Sequence, residues 1–181
     1  ISRLDDTGMY DDNPLPALFR QLLADGLIVL FQSEPPPELA GILNTYRIPA
    51  IWVNLKRQAD CIYPDDRGAT HMAASRLIRA GHTRIGYLDP GFARDDAPHC
   101  SRLDRFAGYE DAMKQRRLRP RLITTRNSDV KKQVVDLLEP WLTGPDRMTA
   151  IVSHSANYAV GCYFVALRLD LRVPRDLSIV T

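Results

Sequence analysis

The strongest constraint on the fold is an alternation of amphipathic segments with short apolar runs. Residues 77–90, LIRAGHTRIGYLDP, show one junction in full. Leu77 and Ile78 close a helical pattern, Gly81 suits the left-handed conformation that ends a helix, and TRIGYL continues as a buried strand. The same order recurs. ISRL reads as the end of a strand. LPALFRQLLA (15–24) places Leu15, Leu18, Phe19, Leu22 and Leu23 on one helical face, ends at Asp25 and Gly26, and yields to the apolar run LIVLF (27–31). PELAGILNTY (37–46) predicts a helix with Pro37 in its first turn, followed by the strand IPAIWV. After the loop NLKRQADCIYPDD come a helix over 67–80, the strand TRIGYL, a loop over 89–101 and a helix over 102–117. RLITT, MTAIVS and DLSIV read as strands, separated by a helix capped by Ser128 and a helix over 155–170. This alternation implies an α/β chain of parallel sheet flanked by helices. Ligands of such sheets bind beyond the carboxyl ends of the strands, so the loop from Asp89 to Ser101 is expected to border a site.

Composition removes several classes of function. A net charge of +2 on 181 residues points to neither nucleic acid nor membrane, and no apolar run is long enough to cross a bilayer. The start, ISRLDDTGMYDD, is acidic and does not read as a signal peptide. Cys61, Cys100 and Cys162 are unpaired in spacing and read as reduced thiols of a cytoplasmic protein, with no zinc site. Neither a GxGxxG loop nor a P-loop occurs. His71 and His82 read as structural, whereas His99 and His154 fall in strand-end loops where a ligand can be met. Ser153 and Ser155 flank His154 without a glycine elbow, so no hydrolase triad is expected and the chain reads as a non-enzyme with no cofactor or metal. The basic run KQRRLRPR (114–121) lies at a helix end, where cations suit the dipole, and reads as a solvated face. Arg102 and Arg105 sit instead in a first helical turn, where cations oppose the dipole. They call for a polar or anionic ligand, or for ion pairs with Asp95, Asp96 or Asp104.

Four stretches carry a family resemblance: ADGLIVL (24–30), DDRGATHMAASRLIRAGHTRIGYLDP (65–90), RLDRFAGYEDAM (102–113) and MTAIVSHSANYAVGCYFVALRLDLRVPRDLSIV (148–180). Together they resemble the effector-binding core of the LacI/GalR (lactose-repressor) family of transcription regulators. The resemblance implies a periplasmic-binding-protein-like fold, incomplete here, with a partial N-terminal lobe over 1–80, a partial C-terminal lobe over 81–181 and a ligand cleft between them. The family's helix-turn-helix head, hinge helix, first strand and helix, and closing strands have no counterpart, so the chain reads as a fragment.

Position by position, Arg105 matches the arginine that holds the effector, and Asp65 the cleft aspartate. Ser155 stands where an asparagine is usual, Ala156 replaces an aspartate, and Asn54 stands where an aspartate is common. Gln32 and Ser33 end a strand that can reach the cleft, and the turn around Arg126 matches an effector-side loop. With His99 and His154, Arg105, Asp65, Ser155, Gln32, Ser33 and Arg126 form the expected effector-binding set. The implied function is sensing of a small molecule, a sugar or related metabolite, in a cytoplasmic repressor. Its implied partners are a second copy of the chain and operator DNA held by the absent head, with no membrane. Helix 155–170 carries Tyr158, Val160, Cys162, Phe164 and Val165, one subset expected to face the core and the other a partner subunit. The alternative is a solute-binding protein of a sugar transport system; the free cysteines and LRVPRDLSIV favour the regulator.

Overall fold

The computed structural model describes residues 25–30, 35, 37–94, 98–126 and 130–181. The expected helix over 15–24, the ISRL strand end, Gln32, Ser33 and Ser128 lie outside the described residues. The chain divides into two compact units, Ile1–Tyr63 and Pro64–Thr181.

In the first unit, β1 (Leu27–Leu30), β2 (Ala50–Val53) and β3 (Cys61–Ile62) form a parallel sheet in that order, with α1 (Pro37–Thr45) between β1 and β2. Strand alternation turns Val29 and Trp52 onto Leu39 and Leu43 of α1, with Leu55 closing the cluster. On the opposite face Ile28 and Ile62 are 80% and 65% exposed, so the described residues cover one face of this sheet, not the two expected for LIVLF. β3 falls in a stretch read as loop; a two-residue strand is too short to show a period.

The second unit contains α2 (Asp66–Arg79), β4 (Ile85–Leu88), α3 (Cys100–Gln115), β5 (Leu122–Ile123), α4 (Val130–Leu142), β6 (Ala150–Ser153), α5 (Ala156–Arg168) and β7 (Ser178–Val180). Its strands are parallel in the order β5-β4-β6-β7. One face packs Ile85, Tyr87, Ala150 and Val152 against Ala74 and Leu77 of α2 and Tyr109, Ala112 and Met113 of α3. The other packs Leu88 and Ile151 against Leu138 of α4 and Cys162 and Val165 of α5.

Two expectations shift here. α2, placed by sequence with the N-terminal lobe up to Ala80, packs on α3 and β4, and the division falls between Tyr63 and Pro64. The apolar stripe of α2 finds its complement in the second unit, which its helical spacing alone does not reveal. α3 begins at Cys100 rather than Arg102, because the imidazole of His99 caps it by accepting from the Ser101 amide.

Gly81 ends α2 with φ +93°, as the junction LIRAGHTR predicts. His82 beside it is structural: its ring nitrogens lie 2.9 Å from Thr149 Oγ1 and 3.0 Å from Ser178 Oγ, joining the chain just before β4 and β6 to the start of β7. On α5, Cys162, Val165 and Ala166 are buried in the core, and Val160, Tyr163, Phe164 and Leu167 are exposed along a second stripe.

Candidate functional site

The second sheet reverses its direction of growth between β4 and β6, since β5 lies to one side of β4 and the chain then returns to build β6 and β7 on the other. A crevice outside the carboxyl ends of the strands is the expected consequence of such a reversal. One of about 360 Å³ is present there, walled by Tyr87 of β4, Val152 and Ser153 of β6, His154 to Ala156 beyond it, Thr181 after β7, Asp66 and Thr70 of α2, and Arg105 of α3.

Arg105 is fixed on two sides. Its Nε donates to Asp66 Oδ1 at 2.7 Å and its Nη1 to the His154 carbonyl at 2.9 Å. Arg102, one turn earlier, lies with Nε 2.9 Å from Oδ2 of Asp89, a carboxylate fully buried where β4 ends. The Gly91 amide donates to the other oxygen of Asp89. Two guanidinium groups thus face two carboxylates, and each cation that opposes the dipole of α3 has its own counter-charge.

His154 Nδ1 lies 3.3 Å from the Tyr87 hydroxyl and 3.8 Å from Asp89 Oδ2. Burial lowers the His154 pKa below 6.5, against the opposing pull of Asp89, so the ring is neutral at pH 7. Burial first, and the charge of Asp89 second, hold the Tyr87 phenol well above its ordinary range, so it keeps its proton. Ser155 begins α5 but makes no side-chain capping bond. Ser153 donates its hydroxyl to the Ser155 carbonyl.

Arg105, His154 and Ser155, three of the residues expected to meet an effector, line the crevice. Asp65 does not: it is exposed and caps α2 by accepting from the Gly68 amide at 2.9 Å, while the neighbouring Asp66 turns inward. His99 is buried at the start of α3, and Arg126 is exposed after β5; neither lines the crevice. Asn54 belongs to the first unit, beyond β2. Asp95 and Asp96, two of the three carboxylates weighed as alternative partners of the arginines, lie outside the described residues. Asp66, Asp89 and Tyr87 are the contributors that sequence reading missed. Asp89 carried a signal, since a carboxylate directly after a four-residue buried strand needs a counter-charge. Among the described residues no group of three or more His, Cys, Asp or Glu side chains is placed to hold a metal ion, and no helix is long and apolar enough to cross a membrane.

The histidines give the fold a pH dependence of definite sign. Burial lowers the pKa of both His82 and His154. As pH falls through about 6.5 the unfolded chain takes up protons that the folded chain still refuses. Their contribution is therefore complete above that value and is lost on acidification towards the depressed folded pKa values. Thermal melts between about pH 7.5 and pH 5 should show the loss, and His154→Gln should reduce its slope. Parallel wild-type and variant curves would remove His154 from the account.

The pattern of the periplasmic binding protein-like domain matches residues 74–181. The transcriptional repressor PurR of Shigella dysenteriae is 27% identical over 169 residues, which cover 91% of this chain and 48% of that protein. The ribose operon repressor of Haemophilus influenzae is 30% identical over 159 residues, covering 86% and 46%. The chain spans about half the length of these curated relatives. Among solved structures, a LacI family transcriptional regulator from Mycobacterium smegmatis superposes with a TM-score of 0.66 at 29% identity, over 90% of this chain and 59% of that one.

Proposed function

We propose, on the premise that this chain belongs to the periplasmic binding protein-like domain family, that it is the effector-sensing part of a DNA-binding repressor of the LacI/GalR type. Its effector is a small uncharged polar molecule, a sugar or related polyol, held in the crevice beyond β4 and β6. The observation that carries this reading is Arg105. Its guanidinium is locked by Asp66 and the His154 carbonyl, yet it borders the crevice with further N–H donors of its fork unused. Asp66, with its second oxygen, and Ser155, with its uncommitted hydroxyl, supply acceptors for ligand hydroxyls. The matching of two arginines by two carboxylates favours a neutral ligand, because an added anion would find no uncompensated cation there. Turnover is not expected, and both relatives described above are named as repressors rather than transport proteins.

In the whole cytoplasmic protein, occupancy of this crevice biases the affinity of a separate DNA-binding head for its operator. The exposed stripe of Val160, Tyr163, Phe164 and Leu167 on α5 is the surface assigned to homodimer formation. The test is a set of melts of the chain with neutral sugars, polyols and nucleosides beside sugar acids and sugar phosphates. A ligand at about a hundred times its Kd adds about 2.7 kcal/mol, a rise of about 5–11 °C at this size. Light scattering on the same samples should read a dimer. Shifts from charged ligands alone would overturn the neutral-effector reading, and a monomer would overturn the role of α5.

A further inference from the structure

A second cleft lies at the other end of the second unit. α2 and α3 both run antiparallel to the strands they precede, so their last turns meet where β4 and β5 begin. Beside those turns is a cleft of about 180 Å³ bordered by His71, Ser75 and Arg79 of α2, by Gln115 of α3 and by Arg116 just past it. Residues 72–84 and 114–121 around it contain no aspartate or glutamate. Arg76, Arg79, Arg116, Arg117 and Arg119 are exposed, and none is ion-paired among the described residues. Complementing helix dipoles does not account for this number. Two helix C-termini carry about half a negative charge each, which offsets about one cation.

The chain places Arg117 at the left-handed closing position of α3, as it places Arg47 after α1 and Asp170 after α5. Leu118 donates its amide to the Met113 carbonyl to close α3, and this puts Arg117 at φ +56°. At the matching position of α2 the chain has Gly81. A bulky side chain is thus held where glycine is the unstrained choice.

We propose that this arginine surface docks an acidic segment of a partner protein, with one carboxylate seated in the cleft between Arg79 and Arg116. Arginine forks match carboxylates in pairs. Arg79 and Arg116 border the same cleft from two helix ends, a compact pair rather than a stripe that would track a nucleic-acid backbone. No Phe, Tyr or Trp in 72–84 or 114–121 offers a stacking platform for bases, and the ring of His82 is engaged by Thr149 and Ser178.

The test is binding of a fluorescent oligoglutamate peptide to the chain at low and moderate salt, beside a DNA duplex of equal charge. The peptide should bind and weaken with salt. Each exposed arginine–carboxylate contact contributes up to about fivefold in affinity, so Arg79→Glu with Arg116→Glu should weaken binding by about tenfold or more. Arg117→Gly, which relieves the backbone and cannot be blamed on misfolding, should weaken it by up to about fivefold. Absence of peptide binding at low salt would overturn the proposal. So would binding that survives the double reversal, or tighter binding of the duplex.

Discussion

Arg105→Ala should abolish every ligand-induced rise in melting temperature and should also lower the stability of the unliganded chain by about 1–3 kcal/mol. The two losses have different origins. The ligand loses the donors that border the crevice. The fold loses the counter-charge of Asp66, whose side chain is 8% exposed and 2.7 Å from Arg105 Nε. Breaking a fully buried ion pair costs more than this range. Arg105 is 36% exposed, so water partly replaces the lost partner. The His154 carbonyl loses its donor as well. Adding Asp66→Asn to Arg105→Ala removes the stranded charge and should recover part of the stability without recovering ligand binding. Arg105→Lys keeps the charge but cannot reach Asp66 and the His154 carbonyl together, so it should retain most of the stability and little of the affinity. A full ligand response from Arg105→Ala would place the effector elsewhere. A double variant no more stable than Arg105→Ala would mean that the Asp66 charge is not what destabilises the single variant.

Why Arg105 was legible and Asp66 was not is a matter of helix phase. A cation in the first turns of a helix stands out, because the dipole there opposes it and something must compensate. Asp65 and Asp66 are adjacent, and both suit a helix start; only the geometry of the first turn decides that Asp65 caps the Gly68 amide while Asp66 faces Arg105. For Asp89 the need of a counter-charge was legible but its partner was not. Its partner Arg102 arrives from the next helix, and that helix starts early because His99, a residue type seldom read as a cap, accepts from the Ser101 amide. The parallel sheet was plain from the buried runs IGYL and AIVS, which became β4 and β6 with all four residues of each buried. The division of the chain was not plain. The apolar stripe of α2 specifies that something covers it, not which neighbour does, and the tight seat of α2 on α3 depends on one glycine.

Gly108→Ala should therefore be the most damaging of the small substitutions. A Cβ on Gly108 of α3 would lie 2.1 Å from the carbonyl oxygen of Arg67 and 3.0 Å from the His71 amide nitrogen, both backbone atoms of α2. No rotamer change relieves such an overlap, so the two helices must separate. Overpacking of this kind costs about 3 kcal/mol or more, a fall of about 6–12 °C in Tm. The same movement would pull Asp66 from Arg105, so ligand affinity should fall with stability, although Gly108 does not line the crevice. Two other helical glycines supply the comparison, since replacement by alanine has the same intrinsic helix preference at all three. At Gly161 the new Cβ meets Val134 Cγ1 at 2.6 Å and Val134 Cβ at 3.3 Å; valine is stiff at χ1, so alanine should destabilise there too, but less than at Gly108, where the overlap is with backbone. At Gly41 nothing lies within 4 Å, and alanine should stabilise by about 0.5–1 kcal/mol. Melting temperatures should thus rank Gly41→Ala above wild type, Gly161→Ala below it and Gly108→Ala lowest. If Gly108→Ala instead melts with Gly41→Ala, α2 and α3 are not seated as closely as the Arg67 contact requires, and the geometry that holds Asp66 against Arg105 fails with it.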